Sequence, residues 1–140
     1  MKTVFIVDDS DSNLLLAEEA LSGEYRVFTL QSAEVMFGLL ENVTPDLILL
    51  DIEMPGTNGF DALRQLKSNE ATSDLPVIFV TGRDDVSAEI HGFEMGIADF
   101  IRKPFSKPLL RARIKAYFDI VASVRRQEAE KFREAGFTCQ

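Results

Sequence analysis

Soft metal ligands are scarce in this chain of 140 residues, which contains one cysteine and one histidine. Cys139 lies at the extreme C-terminus, so neither a disulfide framework nor zinc-type spacing can be assembled, and it reads as a free tail thiol. His91 falls in a helical segment without partner acids at metal spacing, which places it on the surface. Long apolar runs are also missing. No stretch approaches the roughly eighteen residues that span a bilayer, so no membrane partner is expected. Met1-Lys2-Thr3 leads into a short apolar run stopped by acids, with neither the h-region nor the cleavage site of a signal peptide, and the cytoplasm is the expected compartment. Positive charge is in deficit, with 15 Lys and Arg against 23 Asp and Glu. The resulting net charge of −8 opposes attraction to phosphate backbones, and direct nucleic-acid binding is not expected. Repeats and low-complexity segments are absent as well.

What is present fits one ordinary domain: 46% apolar and 27% charged residues with a mean hydropathy of zero. The centre of the chain is Leu47-Ile48-Leu49-Leu50-Asp51-Ile52-Glu53-Met54-Pro55-Gly56. Its short apolar run, bounded by Pro45-Asp46 and Pro55-Gly56, reads as a strand buried on both faces of a parallel sheet. Asp51 then stands at the strand's carboxyl end, where ligands collect in open α/β sheets. On this strand alone, Asp51 reads equally well as the start of a turn.

The same pattern recurs along the chain. Thr3-Val4-Phe5-Ile6-Val7 ends in Asp8-Asp9, and residues 25–30, 76–82 and 98–102 supply three further strands. Between them lie helices, one with Leu14, Leu15, Ala17, Ala20 and Leu21 on its apolar face and a second carrying Val35, Met36, Phe37, Leu39 and Leu40. A third is marked by Phe60, Leu63 and Leu66. Asp84-Asp85 open a fourth whose inward side is expected to hold Ile90, Phe93 and Met95. A long last helix is expected from Ser106, with Pro108 in its first turn and no breaker before Gly136. Five alternations of strand and helix call for an α/β fold, a doubly wound five-stranded parallel sheet with helices on both faces.

Aligning the strand ends puts Asp8, Asp9, Asp51, Thr81 and Lys103 on one edge. Clustered carboxylates repel one another unless a cation joins them, and hard oxygen ligands suit Mg²⁺. A carboxylate can also accept a phosphoryl group as an acyl-phosphate, provided that metal and ammonium neutralise the phosphoryl oxygens.

These residues carry a family resemblance. Val7-Asp8-Asp9, Leu50-Asp51-Ile52-Glu53-Met54-Pro55-Gly56-Thr57-Asn58-Gly59, Val80-Thr81-Gly82 and Lys103-Pro104-Phe105 follow one another as in the response-regulator receiver domains of two-component phosphorelays. The resemblance covers residues 1 to about 123 and implies the flavodoxin-like receiver fold with strand order 2-1-3-4-5. It implies that Asp51 accepts a phosphoryl group from a histidine kinase or histidine phosphotransfer protein. Asp8, Asp9, Asp51 and the Glu53 backbone carbonyl would hold Mg²⁺, with Asp8 acting mainly through water. Thr81, Gly82 and Lys103 would bind the phosphoryl oxygens. Phe100 would be the aromatic that turns inward with Thr81, and Lys103-Pro104 would be cis. Arg83 and Glu53 would flank the site. The surface of the fourth and fifth strands and the adjoining helices would change on phosphorylation, controlling a partner or output domain.

A reading from another class is an aspartyl-nucleophile phosphohydrolase or phosphotransferase, in which Glu53, two residues after Asp51, would serve as general acid-base. The paired acids Asp8-Asp9, together with Thr81-Gly82 and Lys103-Pro104, fit a switch better than an enzyme. Beyond the receiver at 1–123, residues 124–140 read as a helical extension and tail. Leu110, Ile114, Tyr117, Val121 and Val124 form one stripe, which either buries the last helix against the sheet or pairs two helices in a homodimer. The phrase Leu109-Leu110-Arg111-Ala112-Arg113-Ile114 resembles receivers that precede cyclic-dinucleotide enzymes or histidine kinases.

Overall fold

Five apolar runs become the five strands of one parallel sheet, β1 (Thr3–Val7), β2 (Arg26–Leu30), β3 (Leu47–Leu50), β4 (Val77–Thr81) and β5 (Asp99–Arg102). They alternate with α1 (Asp11–Leu21), α2 (Ala33–Leu40), α3 (Gly59–Ser68), α4 (Val86–Glu94) and α5 (Lys107–Glu134). The structure is a computed structural model and describes residues 1–83 and 85–136. The tail thiol expected at Cys139 and the helix-start acid expected at Asp84 lie outside the described residues.

The strand order is β2-β1-β3-β4-β5, as the resemblance implies. The three central strands are buried along their whole length, which is why they read as unbroken apolar runs, whereas edge strand β2 is partly exposed. Register positions the functional edge. Val7 pairs with Leu50, and Leu50 with Phe79, so β1 and β3 release Asp8 and Asp51 side by side. Thr81 pairs with Arg102, placing Lys103 one residue past the end of β5.

Alternating strand residues feed two cores. Phe5, Val7, Ile48, Leu50, Phe79 and Phe100 pack with Met36 of α2 and Leu63 and Leu66 of α3. On the opposite face Ile6, Leu49, Ile78 and Val80 meet Leu14 and Leu21 of α1 and Leu110 and Ile114 of α5. Each helix starts on a polar cap. Ser10, Ser32, Asn58, Asp85 and Ser106 each accept a backbone N–H from the first turn, an interaction worth about 1 kcal/mol per helix.

Three helix faces differ from expectation. Leu15 and Val35 point to solvent, at 57% and 51% exposure. In α4 the expected inward residues Ile90 and Phe93 are 52% and 46% exposed, while Met95, just past the helix, packs only at the core margin. The inward side is made instead by Ala88 and Gly92. A Cβ on Gly92 would fall 2.7 Å from Ile97 Cδ1 and 3.1 Å from Phe79, so α4 approaches the sheet through its smallest residues and turns its large ones out. His91 is on the surface, its ring 4.8 Å from that of Phe60.

Helix α5 begins at the Ser106 cap with Pro108 in its first turn and runs unbroken for 28 residues. Its stripe divides: Leu110 and Ile114 are fully buried, Tyr117 packs at the core margin, and Val124 is 46% exposed. Among the described residues no helix is long and apolar enough to cross a membrane.

Candidate functional site

The carboxyl edge of the sheet brings the expected side chains together. Asp8 and Asp51 are buried, each 5% exposed, and Asp9 beside them is open to solvent. One oxygen from each of these three carboxylates lies within 4.8 Å of the others. Lys103 extends from the end of β5 to place Nζ 2.5 Å from Asp8 Oδ2 and 3.5 Å from Asp51 Oδ2. Its backbone N–H donates to the Thr81 carbonyl at 2.8 Å, and the Lys103-Pro104 bond is cis, as expected. Asp8 is fixed from its other side, where Oδ1 accepts the Ser10 N–H at 2.9 Å.

Electrostatics single out Asp51. Its pKa is pushed up to about 6, chiefly by burial, against the pull of Lys103 and with smaller upward pushes from Asp8 and then Asp9. Three carboxylates served by a single amine are therefore short of positive charge. Three hard oxygen donors around such a deficit fit Mg²⁺.

Thr81 is fully buried, and its Oγ1 accepts the Arg83 N–H at 3.3 Å. Beside Gly82 the space is open, with no atom within 4 Å of where a Cβ would sit. Phe100 is already turned into the core, 5% exposed and edge-on to Phe79 at 6.4 Å, on the face that Phe79 and Thr81 share by strand alternation. The Glu53 side chain is 73% exposed and pairs with Arg83 at 3.8 Å across the mouth of the site. The Glu53 carboxylate, which the hydrolase alternative would use as general acid-base, therefore faces solvent with a guanidinium nearby.

Two residues that shape the site had no assigned role in the sequence reading. Glu34 of α2 reaches the loop after Asp51, its Oε1 accepting from Thr57 Oγ1 at 2.6 Å and from the Thr57 N–H at 3.3 Å. These bonds hold the Glu34 carboxyl below its ordinary range. No local pattern links the two residues, which are 23 apart in the chain. At Gly59 a Cβ would lie 2.4 Å from the Asp51 carbonyl oxygen and 2.7 Å from Ile52 Cα, so only glycine lets α3 start against the end of β3. Its signal was present in the Asn58-Gly59 pair, where the structure finds Asn58 as the α3 cap.

A carboxylate withheld from water, beside an amine and a hydroxyl at the carboxyl ends of parallel strands, is the apparatus of a phosphoacceptor signalling switch. The chain belongs to the response regulator receiver domain family, whose profile matches residues 4–115. It is 39% identical over 115 residues to a probable cyclic di-GMP phosphodiesterase of Vibrio cholerae, a match covering 82% of this chain and 26% of that protein. It is 35% identical over 136 residues to the response regulator PleD of Caulobacter vibrioides, covering 95% of this chain and 30% of that one. Among solved structures, the non-phosphorylated HemR receiver domain of Leptospira biflexa matches with a TM-score of 0.76 at 29% identity, covering 84% of this chain and 94% of that one. The chain spans less than a third of either curated relative. Receiver domains work with histidine kinases or phosphotransfer proteins and use Mg²⁺ at an acidic pocket, and a cluster of aspartates is present here.

Proposed function

We propose that Asp51 accepts the phosphoryl group, from the phosphohistidine of a histidine kinase or histidine phosphotransfer protein. The observation carrying this reading is that Asp51 is buried, has its pKa raised to about 6, and lies 3.5 Å from Lys103. An Asp51 carboxylate oxygen attacks phosphorus; the O–P bond of the acyl-phosphate forms as the N–P bond of phosphohistidine breaks, and the departing imidazole is left neutral or takes a proton from solvent. Asp9, Asp51 and the Glu53 carbonyl, with Asp8 mainly through water, would hold Mg²⁺, which would neutralise charge on the phosphoryl oxygens. Lys103 pairs with one phosphoryl oxygen, the Thr81 hydroxyl donates to another, and the Gly82 backbone N–H serves the same group. Thr81 and Phe100 then alter the surface formed by α4, β5 and α5, and through it a partner or output domain.

In this reading the receiver unit is 1–123, with 124–140 as an extension, and residues from about 114 to 132 contribute to a homodimer. The unit acts in the cytoplasm, does not itself bind nucleic acid and catalyses only its own phosphorylation and dephosphorylation. Incubation with acetyl phosphate and Mg²⁺ followed by mapping of the label tests it. Modification at Asp51 alone, lost in Asp51→Asn and on chelation of Mg²⁺, is expected; label persisting in that variant overturns the assignment.

A further inference from the structure

Arg83 holds together three elements that meet at the mouth of the site. Its backbone N–H donates to Thr81 Oγ1 at the end of β4, at 3.3 Å. Its guanidinium gives two N–H groups to one oxygen of Asp85, Oδ2, at 3.1 and 2.8 Å, and stands 3.8 Å from Glu53 in the loop after β3. The other oxygen of Asp85, Oδ1, accepts the Ala88 N–H at 2.5 Å and so caps α4. One carboxylate thus serves as helix cap and arginine partner at once, and a displacement of Arg83 pulls on the cap. Phe60, at the start of α3, supports the arrangement from below, with the guanidinium carbon 6.0 Å from its ring centre and the His91 ring of α4 4.8 Å away. Arginine suits this place because its planar fork presents several donors at once, whereas lysine offers a single flexible point charge.

We propose that Arg83 is a positioning residue that latches the first turn of α4 to the loop following Asp51, and that capture of the Thr81 hydroxyl by a phosphoryl group opens the latch. Moving Thr81 Oγ1 toward that group takes the acceptor from the Arg83 N–H. Arg83 must then shift, and it carries its guanidinium away from Glu53 and the α4 cap. The first half of the proposal concerns the unmodified protein; the second rests on Asp51 being the phosphoacceptor.

Amide hydrogen exchange separates the two. In the unmodified protein, Arg83→Ala should speed exchange at Ala88 and Glu89 by roughly two- to five-fold, the scale of an exposed ion-pair network, while β1 and β3 amides stay unchanged. Glu53→Gln should produce a smaller change at the same amides and add little to Arg83→Ala in the double variant, because both break one contact. Asp85→Asn keeps a capping side chain and isolates the loss of the arginine partner. Arg83→Lys should restore only part of the protection. Unchanged α4 exchange in Arg83→Ala, or fully additive effects of the Arg83 and Glu53 changes, overturns the latch. With beryllofluoride and Mg²⁺, wild-type α4 exchange should rise toward that of Arg83→Ala, and the variant should gain little more; equal increments in the two proteins overturn the opening step. Absence of any beryllofluoride effect on residues around Asp51 counts instead against the phosphoacceptor reading, leaving the metal-free comparison to decide the latch.

Discussion

The carboxyl edge of the sheet and the outer half of α5 are both rich in charge, yet they use it in opposite ways. At the edge, Asp8 and Asp51 are nearly out of water and share a single amine, so each added or removed charge changes the free energy of the fold and the reactivity of the site. Along α5, Lys115 and Asp119 form an exposed pair at 2.8 Å, one turn apart, and the charges around them are solvated. Such pairs support a helix weakly and set no chemistry. Burial, more than the number of charged residues, distinguishes a reactive cluster from a solvated surface.

The comparison is broken most severely by crowding the edge. Gly59→Ala should destabilise the fold by roughly 3 kcal/mol, since its Cβ would collide with backbone rather than with a side chain that can move; urea unfolding measures it, and a cost near zero would mean that the start of α3 can shift freely. Removing the buried charge should act in the other direction. The folded pKa of Asp51, about 6, is above its ordinary value of 3.8, so the folded state holds more protons in that window and loses stability as pH rises through it. Metal-free Asp51→Asn should therefore exceed wild type by roughly 2 kcal/mol at pH 8, with the gap closing toward pH 4. A gap that is the same at both pH values would show that Asp51 ionises in the fold as it does in water.

Mg²⁺ should narrow that gap by relieving the repulsion. At roughly five times its dissociation constant it should stabilise wild type by about 1 kcal/mol, an effect that chelation reverses and Asp9→Asn removes. A thermal shift retained in Asp9→Asn would remove that residue from the ligand set. Glu34→Ala should leave global stability nearly intact while speeding amide exchange at Thr57, since it cuts the tie between α2 and the loop after Asp51. The smallest effect on folding is expected on the solvated side. Val124→Lys should change stability by less than about 0.5 kcal/mol, yet sedimentation velocity should show the proposed dimer weakened.

Residues whose burial follows from a run of large apolar neighbours were legible in the sequence. The unbroken run of β3 predicted a strand buried on both sides and that of β1 a buried strand, and the acids, hydroxyl and lysine at strand ends then fell on one edge. Helix faces were less legible where packing is close. Periodicity assigns large residues inward, but α4 lies so near Phe79 and Ile97 that only Gly92 and Ala88 fit between them, and Ile90 and Phe93 are displaced outward. Leu15 and Val35 show the same limit, because an apolar position beside a true core position looks identical in one dimension. The link from Glu34 to Thr57 was not legible either, since it exists only once the β3–α3 loop folds back over α2.

The unbroken course of α5 has a mechanical consequence. Tyr117 and Phe118 still pack against the domain, Phe118 5.6 Å from the Tyr25 ring, and Val121 is half-buried, so the stretch from 122 to 134 extends as a stiff rod of roughly 20 Å rooted at one end. A rod magnifies small rotations at its root: tilting it by about five degrees moves its far end by roughly 1.5–2 Å, given that length. A change at the root too small to disturb the packing of Leu110 and Ile114 therefore arrives at the far end as a displacement of roughly a third of the helical pitch.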